Sequence, residues 1–186
     1  MKWTLASASP RRRELLKEFI PEFAVIPAKG EEKAADGLTP SALVCALAQQ
    51  KAAEVAALPA AADTAVIGSD TVVVFGDEVL GKPKDEADAK RMLSMLSGKV
   101  HQVYTGVCIL LPDGGKLLEA DCTDVEFEAL TESQIEAYIA TGSPMDKAGA
   151  YGIQDGGIVK EIRGSYSNVV GFPCELFEKL LKSIKA

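Results

Sequence analysis

The chain has 186 residues, 47% of them hydrophobic, which suits one domain, or one domain of two lobes around a central cleft. Its 20 Lys and Arg against 27 Asp and Glu give a formal net charge of −7. That excludes the broad basic surface a long nucleic acid needs, while leaving room for a local pocket that binds a small anion. A single histidine, His101, and four widely spaced cysteines (Cys45, Cys108, Cys122, Cys174) without a C-x-x-C pair exclude zinc sites built on several His and Cys ligands, and the thiols are read as free. No apolar run approaches the ~20 residues that span a bilayer, and Met1–Leu5 turns basic at Arg11 without the apolar core of a secretory signal, so no membrane partner is expected and the cytoplasm is the expected compartment.

Trp3–Ala6 reads as a first strand, Ser7-Ala8-Ser9-Pro10 as a turn, and Pro10 as the opening of a helix with Leu15, Leu16 and Phe19 at helical spacing. Phe23–Ile26 follows as a second strand and Lys29–Gly37 as a charged loop. Thr39-Pro40 is an N-cap followed by proline at the first helical position, for a helix reaching about Ala57. Thr64–Phe75 carries the strongest strand signal, interrupted by Gly68-Ser69-Asp70-Thr71 and closed by a hairpin turn at Gly76-Asp77. Asp85 caps a helix through Leu96, and Val100–Leu111 and Lys116–Phe127 form a long hairpin around Pro112–Gly115. Thr131 with Gln134 sets a capping box for a further helix; Ser143–Gly157 is irregular, Ile158–Ile162 a strand, and Pro173–Ile184 a closing helix. Hairpins interspersed with helices predict an α/β fold with a mixed, twisted sheet flanked by helices.

Several segments carry polar residues that these patterns do not require. Strand, small-residue loop and helix start at Ser7–Arg13 make an anion site, and three arginines at a helix start are electrostatically misplaced unless an anion is near or they extend into solvent. Asp70, at the end of a central strand or in a break within it, calls for a metal, a cationic partner or a general-base role, or else caps a turn. Lys82, in Gly81-Lys82-Pro83-Lys84, is a point charge for phosphate or an exposed loop residue. In Pro144–Gln154 small residues let a ligand approach the backbone, and the Gln154 amide offers both donor and acceptor to a nucleobase; the alternative is a loop packed for its own sake. Glu31-Glu32 either helps hold Mg²⁺ or is a solvated pair, and Lys51 carries the same ambiguity. His101 is assigned a structural hydrogen bond rather than catalysis.

In order along the chain, Leu5–Arg12, Gly68–Thr71, Gly81–Pro83, Leu96–Gly98 with His101, Asp146–Gln154 and Val170–Pro173 resemble the motifs of the Maf family of nucleotide pyrophosphatases. The resemblance spans nearly the whole chain. It implies a fold related to inosine-triphosphate pyrophosphatases, hydrolysis of a nucleoside triphosphate to monophosphate and pyrophosphate, a divalent cation (Mg²⁺ or Mn²⁺), and a homodimer. Asp70 matches the family's proton acceptor, and Arg12, Thr71 and Gln154 match the positions that set substrate choice in the branch acting on dTTP and UTP, as distinct from the 7-methyl-GTP branch. Ser7, Arg11, Glu32, Lys51 and Lys82 match other pocket positions. From this we expect Ser7, Arg11, Arg12, Lys51, Thr71, Lys82 and Gln154 to bind substrate, and Glu32 with Asp70 to hold metal; Asp70 as base and as metal ligand are competing roles. Asp155 departs from the branch, which commonly has Gly there; an extra carboxylate beside the base can alter base or sugar preference and leaves dTTP, UTP and modified pyrimidines open. Rival readings are a pyrophosphatase for 7-methyl-GTP or damaged purine nucleotides, a phosphatase removing only the γ-phosphate, and a nucleotide-binding regulator of cell division, since the family has been linked to septum formation.

Overall fold

The structure, a computed structural model, describes residues 1–184. The strands are β1 (Lys2–Leu5), β2 (Ala24–Val25), β3 (Thr64–Phe75), β4 (Glu78–Leu80), β5 (Val100–Leu110), β6 (Lys116–Phe127) and β7 (Val159–Arg163). The helices are α1 (Pro10–Lys17), α2 (Pro40–Ala56), α3 (Glu86–Leu96), α4 (Glu132–Ala140), α5 (Tyr166–Val170) and α6 (Cys174–Ile184). The strands form one mixed sheet in the order β2-β1-β3-β5-β6-β7, with β4 paired to β3. β1 lies parallel to its neighbours and the rest of the sheet is antiparallel. The expected helix starts are present: Ser9, Thr39 and Asp85 cap their helices, and Thr131 and Gln134 form both halves of a capping box. The short α5 has no counterpart in the sequence reading. Among the described residues no helix is long and apolar enough to cross a membrane.

The expected interruption of β3 is absent. Gly68–Thr71 pair in unbroken antiparallel register with Cys108–Thr105 of β5. The small residues there serve a close approach by α2. A Cβ on Gly68 would lie 2.1 Å from the Ala48 carbonyl oxygen, and one on Gly106, which pairs with Asp70, 2.4 Å from that of Val44. With bare backbone on that face α2 settles directly onto the sheet, burying Val44, Ala48, Ala52 and Val55. The other face is covered at one end by α1 and α6, through Leu5, Leu16, Ile67, Val107, Phe172 and Phe177, and at the other by α3 and α4, through Val73, Leu93, Leu96, Val103, Phe127 and Ile135. Gly68→Ala is expected to destabilise by about 1–3 kcal/mol, because α2 must lift off a backbone contact. Thermal unfolding should show the Tm lowered by roughly 2–12 °C; an unchanged Tm would mean that α2 is not seated this closely.

Candidate active site

One feature of the topology creates the site. β5 accompanies β3 through Val66–Val74, but on the opposite edge β1 reaches only Ile67 and β4 begins only at Val73. Between them Gly68–Val72 present an open strand edge. Because the side chains of a strand alternate between faces, Asp70 points toward α2 and Thr71 toward α5, and both reach the space around that edge. A cavity of about 550 Å³ opens there, and every residue singled out for the site lines it: Ser7, Arg11, Arg12, Glu32, Lys51, Asp70, Thr71, Lys82 and Gln154.

Asp70 is buried, with 7% of its surface exposed. Its Oδ1 accepts a 2.5 Å hydrogen bond from Lys51 Nζ, which also meets Glu32 Oε1 at 2.8 Å. Lys51 is in place because α2 sits so close to the sheet, between Ala48 and Ala52. Glu32 is in place because its loop is pinned to the same helix: Lys33 N donates to Gln50 Oε1 at 3.0 Å, Gln50 Nε2 to Glu31 O at 2.6 Å, and Lys29 N to Glu54 Oε1 at 2.7 Å. Burial raises the Asp70 carboxyl above its ordinary value, outweighing the opposing pull of Lys51 and Arg12 and helped by the Glu32 charge. Among the described residues no three His, Cys, Asp or Glu side chains are grouped as a metal cage. A pair of carboxylates already gathered around one ammonium is a donor set that fits Mg²⁺, which commonly takes one or two carboxylates and completes its shell with phosphate and water.

Arg12 caps the open edge. Its Nη1 donates to the Ser69 carbonyl at 2.9 Å and to Ser7 Oγ at 3.4 Å, Nε to the Gly171 carbonyl at 2.8 Å, and Nη2 to Thr71 Oγ1 at 2.9 Å. Donor directions then follow along a chain. The Asn168 carbonyl can only accept, so Thr105 donates its hydroxyl hydrogen there at 3.2 Å and must accept in its 2.9 Å contact with Thr71, which donates to it while accepting from Arg12. The hydroxyl proton of Thr71 is therefore committed to the protein, and a lone pair is what it can turn to a ligand. Arg13 is exposed, in keeping with a solvated helix residue.

Arg11, at the opening of α1, pairs with Asp146 at 3.3 Å, and Lys147 Nζ meets the same carboxylate at 3.0 Å. Desolvation works against ionisation of Asp146, but Lys147 and Arg11 prevail and hold its carboxyl below the ordinary value. Asp146 and Lys147 both line the cavity; the sequence reading placed them in the irregular loop without giving them a site role. Lys82 is exposed at the rim, after β4. Gln154 is also an exposed lining residue, in a short 3₁₀ turn over Ile153–Asp155. Asp155 departs from expectation: it is not among the cavity-lining residues, and its carboxylate is turned away to accept from Tyr138 and Ser143 hydroxyls, at 2.5 and 2.7 Å. Those two contacts tie its carboxylate to α4 and to the turn that follows it. His101 is structural, as read. It is fully buried against Phe127, its Nε2 is 2.8 Å from the Tyr151 hydroxyl, and desolvation lowers its pKa to about 4, so the ring is neutral.

The family model described as Maf-like protein matches residues 2–184. A dTTP/UTP pyrophosphatase of Agathobacter rectalis is 50% identical, over 96% of this chain and 95% of that protein. One of Thermococcus gammatolerans is 51% identical, over 95% and 93%. Among solved structures, a HAM1 protein from Coxiella burnetii superposes with a TM-score of 0.58 at 14% identity, over 98% of this chain and 99% of that one. The Ham1 protein of Staphylococcus aureus gives 0.57 at 16%, with the same coverage. At such identities the likeness speaks for the fold alone. Motifs, cavity and full-length matches agree, and the chain belongs to the family of Maf-like proteins.

Proposed function

We propose that this protein hydrolyses dTTP and UTP to the monophosphate and pyrophosphate with the help of a divalent cation, Mg²⁺ or Mn²⁺. The observation that carries the reading is the buried Asp70 carboxylate, lodged at an open strand edge and facing a cavity that also holds Arg11, Lys51, Lys82 and Gln154. The choice of substrates follows the relatives, which are dTTP/UTP pyrophosphatases.

A triphosphate shields its own α-phosphorus with negative charge, so the protein must neutralise it and align a water. Arg11 and the amides after Ser7, at the N-terminus of α1, bind phosphate oxygens. Lys82 adds charge at the rim, and Lys51 neutralises phosphate together with the carboxylates it already touches. Asp70 accepts the proton of the attacking water. The water oxygen bonds to the α-phosphorus, the bond from that phosphorus to the bridging oxygen breaks, and pyrophosphate leaves with the bridging oxygen. Asp70 and Glu32 would hold the cation, which would offset phosphate charge and make a bound water more acidic. Arg12 and Thr71 shape the floor beneath the base or sugar, and Gln154 reads the base edge. The same reading takes the chain as one domain with two lobes around the cleft, acting as a cytoplasmic homodimer. The family resemblance supports the dimer, and free thiols at Cys45, Cys108, Cys122 and Cys174 accord with a reducing compartment.

The test is the product released from dTTP, UTP, CTP, ITP and 7-methyl-GTP with either cation. Pyrophosphate should be released, with dTTP and UTP leading the purine nucleotides by roughly 10-fold or more in kcat/KM. Orthophosphate as the product, a lead for ITP or 7-methyl-GTP, or binding without turnover would each replace this reading.

A further inference from the structure

The geometry points to Tyr138 as the positioning residue for base selection, clamping the turn that carries Gln154. The inference rests on the reading of Gln154 as the base contact. Tyr138 lies on α4, outside the cavity lining, and its hydroxyl engages both ends of the turn. It accepts from Gly152 N at 2.9 Å and donates to Asp155 Oδ2 at 2.5 Å. Gln154 lies between these two anchors. Ser143 Oγ donates to the same Asp155 oxygen at 2.7 Å, and Lys147 Nζ holds Ser143 through its carbonyl and hydroxyl at 2.6 and 2.9 Å. Desolvation opposes ionisation of Asp155, yet the two hydroxyl donors outweigh it and keep the carboxyl below its ordinary value, so the acceptor side of the clamp is charged at neutral pH.

The turn needs such a restraint. Gly156 and Gly157, immediately after it, both have positive φ, and Gly152 precedes it, so local stiffness is low. Within the turn only one backbone bond closes it, Asp155 N to the Gly152 carbonyl at 3.1 Å. A glutamine amide presents either a donor or an acceptor depending on how it is turned. Uracil and thymine offer a carbonyl at C4 and an N–H at N3; cytosine offers the reverse pair. Holding the backbone beneath Gln154 in one place limits how the side chain can shift to suit either base, so a firmly anchored turn favours discrimination. The clamp also accounts for Asp155: its carboxylate is spent on the turn.

The experiment compares kcat/KM for UTP and CTP in wild type, Tyr138→Phe, Asp155→Ala, Gln154→Ala and the double variant Tyr138→Phe/Gln154→Ala. Tyr138→Phe keeps the ring and removes both bonds. It should lower the UTP/CTP ratio by roughly 3- to 10-fold, the worth of about one hydrogen bond, mainly by raising turnover of CTP. Asp155→Ala should do the same, and the double variant should be no less selective than Gln154→Ala alone. If Gln154→Ala lowers the ratio while Tyr138→Phe and Asp155→Ala leave it intact, the clamp is overturned and the base contact stands. If the double variant falls well below Gln154→Ala, Tyr138 acts by another route and the clamp is again overturned. If Gln154→Ala leaves the ratio unchanged, both readings fall.

Discussion

Asp70→Asn is expected to cost about 10²–10⁴-fold in kcat on dTTP and UTP, the range set by loss of a positioned proton acceptor. Asparagine keeps the shape of the side chain and can still accept from Lys51, so the variant tests charge and basicity rather than packing. The same substitution is expected to raise thermal stability. Burial makes Asp70 hold its proton more tightly in the folded protein than in the unfolded chain, despite Lys51 and Arg12. Such a group contributes most to stability at low pH. The contribution drains away as pH rises from the unfolded value, about 4, through the higher folded one. At neutral pH the ionised carboxylate is thus a net cost that the fold carries for function. The Tm of Asp70→Asn should exceed that of wild type, by a margin that grows as pH rises through this interval and then levels off. Near-normal turnover would remove Asp70 from the chemistry. A variant that turns over poorly and also melts below wild type at neutral pH would mean that the carboxylate is chiefly a structural partner of Lys51.

Much of the architecture was legible because local chemistry and tertiary packing agree. Ser9, Thr39, Asp85 and Thr131 cap helices because a hydroxyl or carboxylate before a helical run has little else to do. The β5–β6 hairpin follows from the Pro-Asp-Gly-Gly turn between its two strands. β3 was misread at Gly68–Thr71 because glycine followed by polar residues weakens a strand locally, whereas here the absent Cβ makes room for α2, which is remote in sequence. The members of the site were recognisable through the ordered motifs, but their contacts were not. Arg12 meets Thr71 across 59 positions and Arg11 meets Asp146 across 135, and no local pattern encodes such pairs. The contacts of Asp155 were hidden for the same reason, since the hydroxyls that donate to its carboxylate lie on α4 and in the turn after it. Tyr138 left no signal at all: on its own it is one more aromatic on an amphipathic helix.

Lys51→Met should separate the two duties of the lysine. One is to supply positive charge for the substrate. The other is to keep Asp70 ionised in a buried setting, where it lowers the carboxyl's proton affinity both as a nearby charge and as a hydrogen-bond donor. Methionine fills similar space along α2 without either effect. At the wild-type pH optimum kcat/KM should fall by about 10²–10³-fold, the usual consequence of removing one preorganised donor from a phosphate or oxyanion site. The pH profile carries the finer information. Activity requires Asp70 without its proton, so the acid limb reports the carboxyl. With the lysine gone, burial and the Glu32 charge act against ionisation with only Arg12 opposing them, and the limb must move to higher pH. Part of the lost activity should therefore return on raising the pH. A limb that stays in place, with a uniform loss at every pH, would assign Lys51 to the phosphates alone. A limb that moves down would contradict the electrostatic arrangement around Asp70, and with it the choice of Asp70 as proton acceptor.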